Sequence, residues 1–231
     1  MSDEFKSLQS IEEQNKKPSK DYSDIKEMLK NTLIMLLIAL VAGGLLGVVY
    51  VVTKEPIGQM EIATKQNACR KVFPTAVSFS DNICDPAINV KEMDIEGDID
   101  IAEIYEAKDA DNSLLGYVFF VVTHDGYGGD IEFALGIDMS MMINGVNIIS
   151  TNESPGLGAN AKESLCPQFL GKKALKYEVV KNGAILEEQV DAISGATITS
   201  RAVTNGVNGA LTYMNLVFIT KDGGVDYEPG T

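Results

Sequence analysis

The sequence predicts an α+β protein: a single N-terminal transmembrane helix, then one domain with an antiparallel sheet and flanking helices. Three observations lead there. Leu33–Val52 is a run of 20 residues without a charge. Beyond residue 100, β-branched and aromatic runs alternate with Asp, Asn and Gly turn signals. The last strong pattern, from about Ser200 to Val217, places Val203, Val207, Ala210, Leu211 and Met214 on one helical stripe. A length of 231 residues allows one domain or at most two small ones.

Composition excludes several classes of function. The chain carries 19 Lys+Arg against 33 Asp+Glu, a formal net charge of −14. A general nucleic-acid binder needs a basic face, so none is expected. A single histidine excludes a His-rich zinc or haem site. Cys69, Cys84 and Cys166 form no CxxC pair, which argues against a thiolate zinc site or an iron–sulfur cluster. Cys69 and Cys84 are 15 residues apart, a loop that a disulfide could close; the odd count favours three free thiols.

Leu33–Val52 gives ~30 Å of helix, enough to cross a bilayer core. Lys30 and Lys54 bracket it, and Tyr50 sits where a ring can lie at the interface. A buried core helix rarely runs so long without a polar face. A signal peptide has a shorter apolar core, a short basic leader and a small-residue cleavage site. The span is therefore expected to stay in the mature protein. Gly43 and Gly47 have the G-x-x-x-G spacing that lets a neighbouring helix approach. Lys16, Lys17, Lys20, Lys26 and Lys30 precede the span, against Lys54, Lys65, Arg70 and Lys71 just after it. This gives a slight preference for a cytoplasmic N-terminus.

Glu55 to Val72 reads as helix, stopped by Pro74. Residues 75–100 read as an acidic loop. No EF-hand frame fits Glu92–Asp111, so a solvated segment is expected there, not a calcium site. Ala102–Ala107, Gly116–Thr123 and Ile131–Ile137 read as strands, with a turn at Asp109–Ser113 and Gly116–Thr123 central. Asn144-Gly145 reads as a tight turn before the strand Val146–Ile149. Ala161–Leu170 reads as a short helix interrupted by Pro167. Tyr177–Val180 and Ala184–Val190 read as a hairpin about Asn182-Gly183.

Chemistry concentrates in Asp191-Ala-Ile-Ser-Gly-Ala-Thr-Ile-Thr-Ser200. A helix N-cap needs one hydroxyl, supplied by Thr199 or Ser200. Ser194, Gly195, Ala196, Thr197, Thr199 and Ser200 together exceed that need. Glycine permits close backbone approach and a helix N-terminus favours an anion, so the segment is a candidate phosphate site.

Asp-x-x-Ser-Gly-Ala-Thr resembles the attachment motif of the FMN-binding domains in Rnf and sodium-pumping NADH:quinone reductase complexes. In that family a flavin transferase joins FMN to the threonine through its phosphate. The resemblance implies covalent FMN on Thr197. Thr123-His-Asp-Gly-Tyr-Gly-Gly129 looks like the family's Gly-Tyr-Gly segment. Asn152-Glu-Ser-Pro-Gly-Leu-Gly158 looks like its Glu-Thr-Pro-Gly-Leu-Gly loop, with Ser154 in place of threonine. Glu153, Ser154, Pro155, Gly156, Leu157, Gly158, His124 and Tyr127 are the further flavin contacts implied. Both segments also read as turns shaped by glycine and proline.

The resemblance is strongest to the G-subunit branch of Rnf complexes and covers about residues 28–217. It implies a membrane-anchored electron-transfer subunit of an Rnf-type complex, which couples ferredoxin:NAD electron transfer to Na+ or H+ translocation. Its implied partners are the other membrane subunits and, during maturation, a flavin transferase. The expected organisation is a cytoplasmic tail 1–32, a span 33–52, a helical and loop connection 53–100, an extracytoplasmic FMN-binding domain 101–220 and a tail 221–231. No metal site and no catalytic acid, base or nucleophile of its own is expected. Two other readings stand beside it: a free-standing flavinylated carrier, and a flavin-free anchored binding module whose Ser194–Ser200 segment is only a helix cap.

Overall fold

In the computed structural model, helix α1 runs from Tyr22 to Val72 without interruption. The described residues are 22–85, 93, 95–181 and 183–219. They form two compact units, one ending at Met60 and the other beginning at Glu61.

In the first unit, α1 is long and apolar enough to cross a membrane. Its apolar side chains are exposed, Leu40 and Leu46 by 72% and 71%, so this is not the core helix of a soluble domain. Thr32 and Thr53 each donate a hydroxyl hydrogen bond to the carbonyl four residues back (Met28 and Val49, both 2.8 Å), which keeps these polar groups satisfied. The span Leu33–Val52 and the helix read at Glu55–Val72 are one continuous helix. No glycine cap follows Val52, and the helix accommodates Pro56 in its interior. The expected tail 221–231 lies outside the described residues, as do residues 1–21.

The second unit is a five-stranded antiparallel sheet in sequential order: β1 (Ser78–Phe79), β2 (Ile99–Lys108), β3 (Leu114–Thr123), β4 (Ile131–Asp138) and β5 (Ile143–Thr151). After β5 come two 3-10 turns, Gly158–Asn160 and Cys166–Phe169, around the short helix α2 (Ala161–Ser164). Pro167 sits in the second turn, where its missing N–H is not needed. Helix α3 (Thr197–Tyr213) follows a small two-stranded sheet and continues as a π-helical segment, Met214–Ile219. That segment stacks Phe218 on Tyr117 at 4.1 Å.

β3 is central and buried along most of its length because both faces of the sheet are covered. On one face Tyr117, Phe119, Val121, Phe133 and Leu135 pack with Val203, Val207 and Leu211 of α3. On the other, Val118, Phe120 and Ala134 pack with Ala68, Cys69, Val72 and Phe73 at the end of α1. That end reaches the sheet through two cross-strand partners, Gly136 and Gly145. A Cβ on Gly145 would lie 3.0 Å from the Val72 Cα, and one on Gly136 would collide with the Val72 carbonyl.

Two aspartates close the hairpins. Asp109 Oδ1 accepts from the N–H groups of Asp111 (2.9 Å) and Ser113 (2.8 Å), at the expected β2–β3 turn. Asp138 Oδ1 accepts from Ser140 (2.8 Å) and Met142 (2.9 Å), with Met141 at a φ of 68°. The β4–β5 turn therefore precedes Asn144-Gly145, which lies inside β5. The dipeptide is paired strand here because Gly145 is needed beneath Val72.

The hairpin expected at 177–190 is not one. β6 (Glu178–Val180) and β7 (Gln189–Asp191) pair in parallel. Ile185 and Leu186, expected in the return strand, are 89% and 53% exposed in the loop that carries the chain back. Gln189 Oε1 accepts both their N–H groups, at 3.1 and 3.3 Å, and Asn182 lies outside the described residues.

All three cysteines are free. Cys69 packs on the α1 face of the sheet and Cys84 against the core on the α3 face, so the sheet separates them. Burial pushes the Cys69 thiol up to about 11 and that of Cys166 up to about 12, which leaves both unreactive at neutral pH.

Candidate functional site

Three connections meet at one end of the sheet's strands: the β3–β4 loop, the loop after β5, and the turn into α3. They enclose a cleft of about 480 Å³. Tyr127 contributes from the first loop, Glu153, Ser154, Leu157 and Gly158 from the second, and Gly195, Ala196, Thr197, Ile198 and Thr199 from the third. The volume falls within the ~300–1,000 Å³ typical of small-ligand sites.

The α3 turn is built to leave its helix end open. Ala196 occupies the N-cap and makes no side-chain cap bond. Neither Thr199 nor Ser200 caps the helix, contrary to the simple capping reading. Ser200 Oγ instead accepts from the Ile193 N–H (3.0 Å) and donates to the Ala196 carbonyl (2.9 Å), locking the turn from behind. Gly195 takes a φ of 76°, a conformation open to glycine and costly for a residue with a side chain. The N–H groups of Thr197, Ile198 and Thr199 have no intrahelical acceptor and carry the positive end of the helix dipole.

Thr199 supplies the clearest sign of a ligand. Its side chain is 1% exposed, and its Oγ1 has no hydrogen-bond partner. An orphaned buried hydroxyl is uncommon and calls for an explanation. It faces the same point beside Gly158 as the Glu153 carboxylate; a Cβ on Gly158 would strike both groups. Glu153 is 7% exposed and its Oε1 accepts from the Gly128 N–H at 3.1 Å, tying the first two loops together.

Around this polar floor stand exposed apolar groups: Tyr127 (72%), Leu157 (45%) and Ile198 (54%). Ile198 was not legible as a site residue; its only signal is an apolar side chain on the exposed side of the first helical turn. Of the other residues singled out in the sequence, Ser194, Pro155 and Gly156 flank the cleft without lining it, and Ser200 lies behind it.

His124 is engaged elsewhere. Its Nδ1 lies 2.8 Å from Asp130 and its Nε2 3.1 Å from Asp100. The hydrogen bond to Asp130, then that to Asp100, raises its pKa above the ordinary 6.5. The stability this bridge contributes is fully present below the unfolded imidazole value and is lost as pH rises through the raised folded value. Wild type should therefore lose thermal stability as pH climbs above 6.5, and His124→Gln should show a flatter profile over that range. Melting curves of both proteins across that window check this.

A second cleft of about 480 Å³ lies between the Ile62–Arg70 part of α1 and the segment around β1. Its lysine is already taken: Lys65 Nζ lies 2.8 Å from both Glu61 and Glu103. Burial alone would raise the Glu103 pKa, but the hydrogen bonds from Lys65 and Tyr105 outweigh it and hold the carboxyl below its usual value. This cleft has no orphaned group, so the chemistry points to the α3 site.

An open helix N-terminus, an unsatisfied buried hydroxyl and an apolar rim fit a ligand with an anionic tail and a flat apolar head, which FMN is. The fold and site thus define a membrane-anchored flavin-binding protein, and comparison with known proteins agrees. Residues 126–212 match the FMN-binding domain family and residues 20–72 the RnfG N-terminal region. The G component of the Na(+)-translocating ferredoxin:NAD(+) oxidoreductase complex of Acetobacterium woodii is 36% identical over 200 residues, covering 84% of this chain and 95% of that one. The G component of the proton-translocating ferredoxin:NAD(+) oxidoreductase complex of Clostridium ljungdahlii is 32% identical over 193 residues, covering 83% and 92%. Among solved structures, Shewanella oneidensis NqrC matches with a TM-score of 0.43 at 19% identity, covering 61% of this chain and 67% of that one. The chain belongs to the G-subunit family of Rnf-type ion-translocating oxidoreductase complexes.

Proposed function

We propose that this chain is the membrane-anchored electron-transfer subunit of an Rnf-type complex and carries FMN joined through its phosphate to Thr197. The observation that carries the reading is the open end of α3, with Thr197 half-buried at the cleft wall and the Thr199 hydroxyl unsatisfied inside it. Bound flavin supplies the one- and two-electron chemistry; the protein supplies position and electrostatics. The first-turn N–H groups receive the phosphate. Thr199 Oγ1 and the Glu153 carboxylate, both inside the cleft, orient polar groups of the ligand, while Leu157, Tyr127 and Ile198 cover its apolar face. A covalent tether keeps the cofactor with the chain.

The slight excess of lysine before the span favours a cytoplasmic N-terminus, and with it an extracytoplasmic domain. Relatives named for sodium and for proton translocation make the complex an ion-coupled ferredoxin:NAD oxidoreductase, in which this chain works beside other membrane subunits. Maturation uses a flavin transferase.

The test is flavin fluorescence of the full chain on a denaturing gel after expression with a flavin transferase, together with mild solubilisation from its native membrane. A fluorescent band that co-purifies with polytopic subunits is expected. A dark band, with the transferase active on another substrate, overturns the flavin reading. A fluorescent chain that purifies alone favours a free-standing carrier.

A further inference from the structure

One helical turn beyond Thr197 stands Arg201, exposed at the surface. It is the one charged residue in the α3 sequence. It makes no ion pair among the described residues. Its neighbours three and four positions away are Thr197, Ile198, Thr204 and Asn205, so the helix offers it no carboxylate. An arginine without a carboxylate is notable in a chain of net charge −14.

Helical geometry gives this position a target. Residues i and i+4 share a face, and helical side chains lean toward the N-terminus, so a side chain covers the turn preceding its own Cα. For Arg201 that is the turn holding Thr197. The cleft residues include one carboxylate, Glu153, and no cation. An anion held at Thr197 thus has the first-turn N–H groups and the orphaned Thr199 hydroxyl available on the cleft side, where no lining residue is cationic, and Arg201 one helical turn away.

We propose that Arg201 is the cationic partner of the phosphate diester carried by Thr197, and that it pins the flavin tether against the first turn of α3. A guanidinium can meet the two free oxygens of a diester with two parallel N–H bonds, which fixes orientation as well as charge. The inference rests on Thr197 as the attachment point. It adds that the tether is held by a specific positioning residue outside the cleft.

The experiment uses the flavin-loaded full chain in detergent and reads the anisotropy decay of the attached flavin. Arg201→Gln should raise the freely rotating fraction roughly threefold, the size expected of a solvent-exposed charge pair. Arg201→Lys, which keeps the charge and loses the fork, should fall between the two. About 1 M salt should move wild type toward the Arg201→Gln value and leave that variant nearly unchanged. In the flavin-free chain, where Arg201 is exposed and makes no ion pair among the described residues, Arg201→Gln should leave the melting temperature unchanged. Equal rotating fractions and equal salt responses in labelled wild type and Arg201→Gln would overturn the role of Arg201 alone. A wild-type chain with no covalent flavin would overturn the attachment on which it depends.

Discussion

Replacing Thr197 with alanine is expected to abolish covalent flavin completely and leave the fold intact. Competing hydroxyls in this region are each disqualified by their surroundings. Ser200 Oγ is spent on two backbone groups behind the turn. Thr199 is 1% exposed, too deep for a transferase to reach. Ser194 is exposed but does not line the cleft, and Ser154 lines it from the loop after β5, not from the first turn of α3. Thr197 alone combines partial exposure, a place in the cleft wall and the first position of α3. Alanine is the best helix former, so the substitution should shift stability by less than ~0.5 kcal/mol. Intact-mass measurement and gel fluorescence should show no label in Thr197→Ala, partial label in Thr197→Ser and full label in Thr199→Ala. Label persisting in Thr197→Ala would move the attachment elsewhere. Loss in Thr199→Ala with an unchanged melting temperature would mean that the orphaned hydroxyl, not the backbone, holds the phosphate during attachment.

Much of this arrangement was legible because its signals are local. The anchor is visible in Leu33–Val52 since no globular surface tolerates 20 uncharged residues in a row. Gly116–Thr123 reads as central because a run such as Val-Phe-Phe-Val-Val suits a strand buried on both faces. Asp191–Ser200 stands out because it holds more small and hydroxylated residues than a cap requires. What escaped depends on distant partners. Asn144-Gly145 has the chemistry of a tight turn, yet Asp138 closes the hairpin earlier and Gly145 is consumed by the approach of Val72 from some 70 positions away in sequence. Tyr177–Val180 and Ala184–Val190 have the content of a hairpin. The N–H of Glu178 instead bonds the Glu188 carbonyl and that of Ala192 the Val180 carbonyl, and so the strands run parallel. His124 sits in a motif that resembles flavin contacts, but Asp100 and Asp130 were free to claim it, and only the fold brings them together. The orphaned state of Thr199 belongs to the same class: composition reveals a hydroxyl, never whether it has a partner.

The same dependence on distant backbone gives Gly136→Ala a large expected loss of stability. Local propensity argues the other way, since glycine weakens a strand interior and alanine should improve it by a few tenths of a kcal/mol or more. Packing reverses the sign. A Cβ at position 136 would collide with the Val72 carbonyl, stand 3.0 Å from its carbon, and press on the Phe73 ring at 3.2 Å. The ring can turn, but the carbonyl belongs to the last turn of α1 and moves only if the helix end lifts off the sheet. Lifting it exposes Val72 and Phe73, which are 0% and 2% accessible and anchor the second core cluster. A forced insertion of this kind costs about 1–3 kcal/mol, and the backbone location puts this case at the upper end. For a unit of this size that corresponds to a fall in melting temperature of roughly 5–10 °C. Gly136→Val should fall further, despite the strong strand preference of valine. Thermal melts of the full chain in detergent, read by near-ultraviolet circular dichroism, decide between the two forces. An alanine variant as stable as wild type would mean that the end of α1 is not held against the sheet at Gly136, and that the packing of Val72 and Phe73 contributes little to the stability of the domain that carries the flavin site.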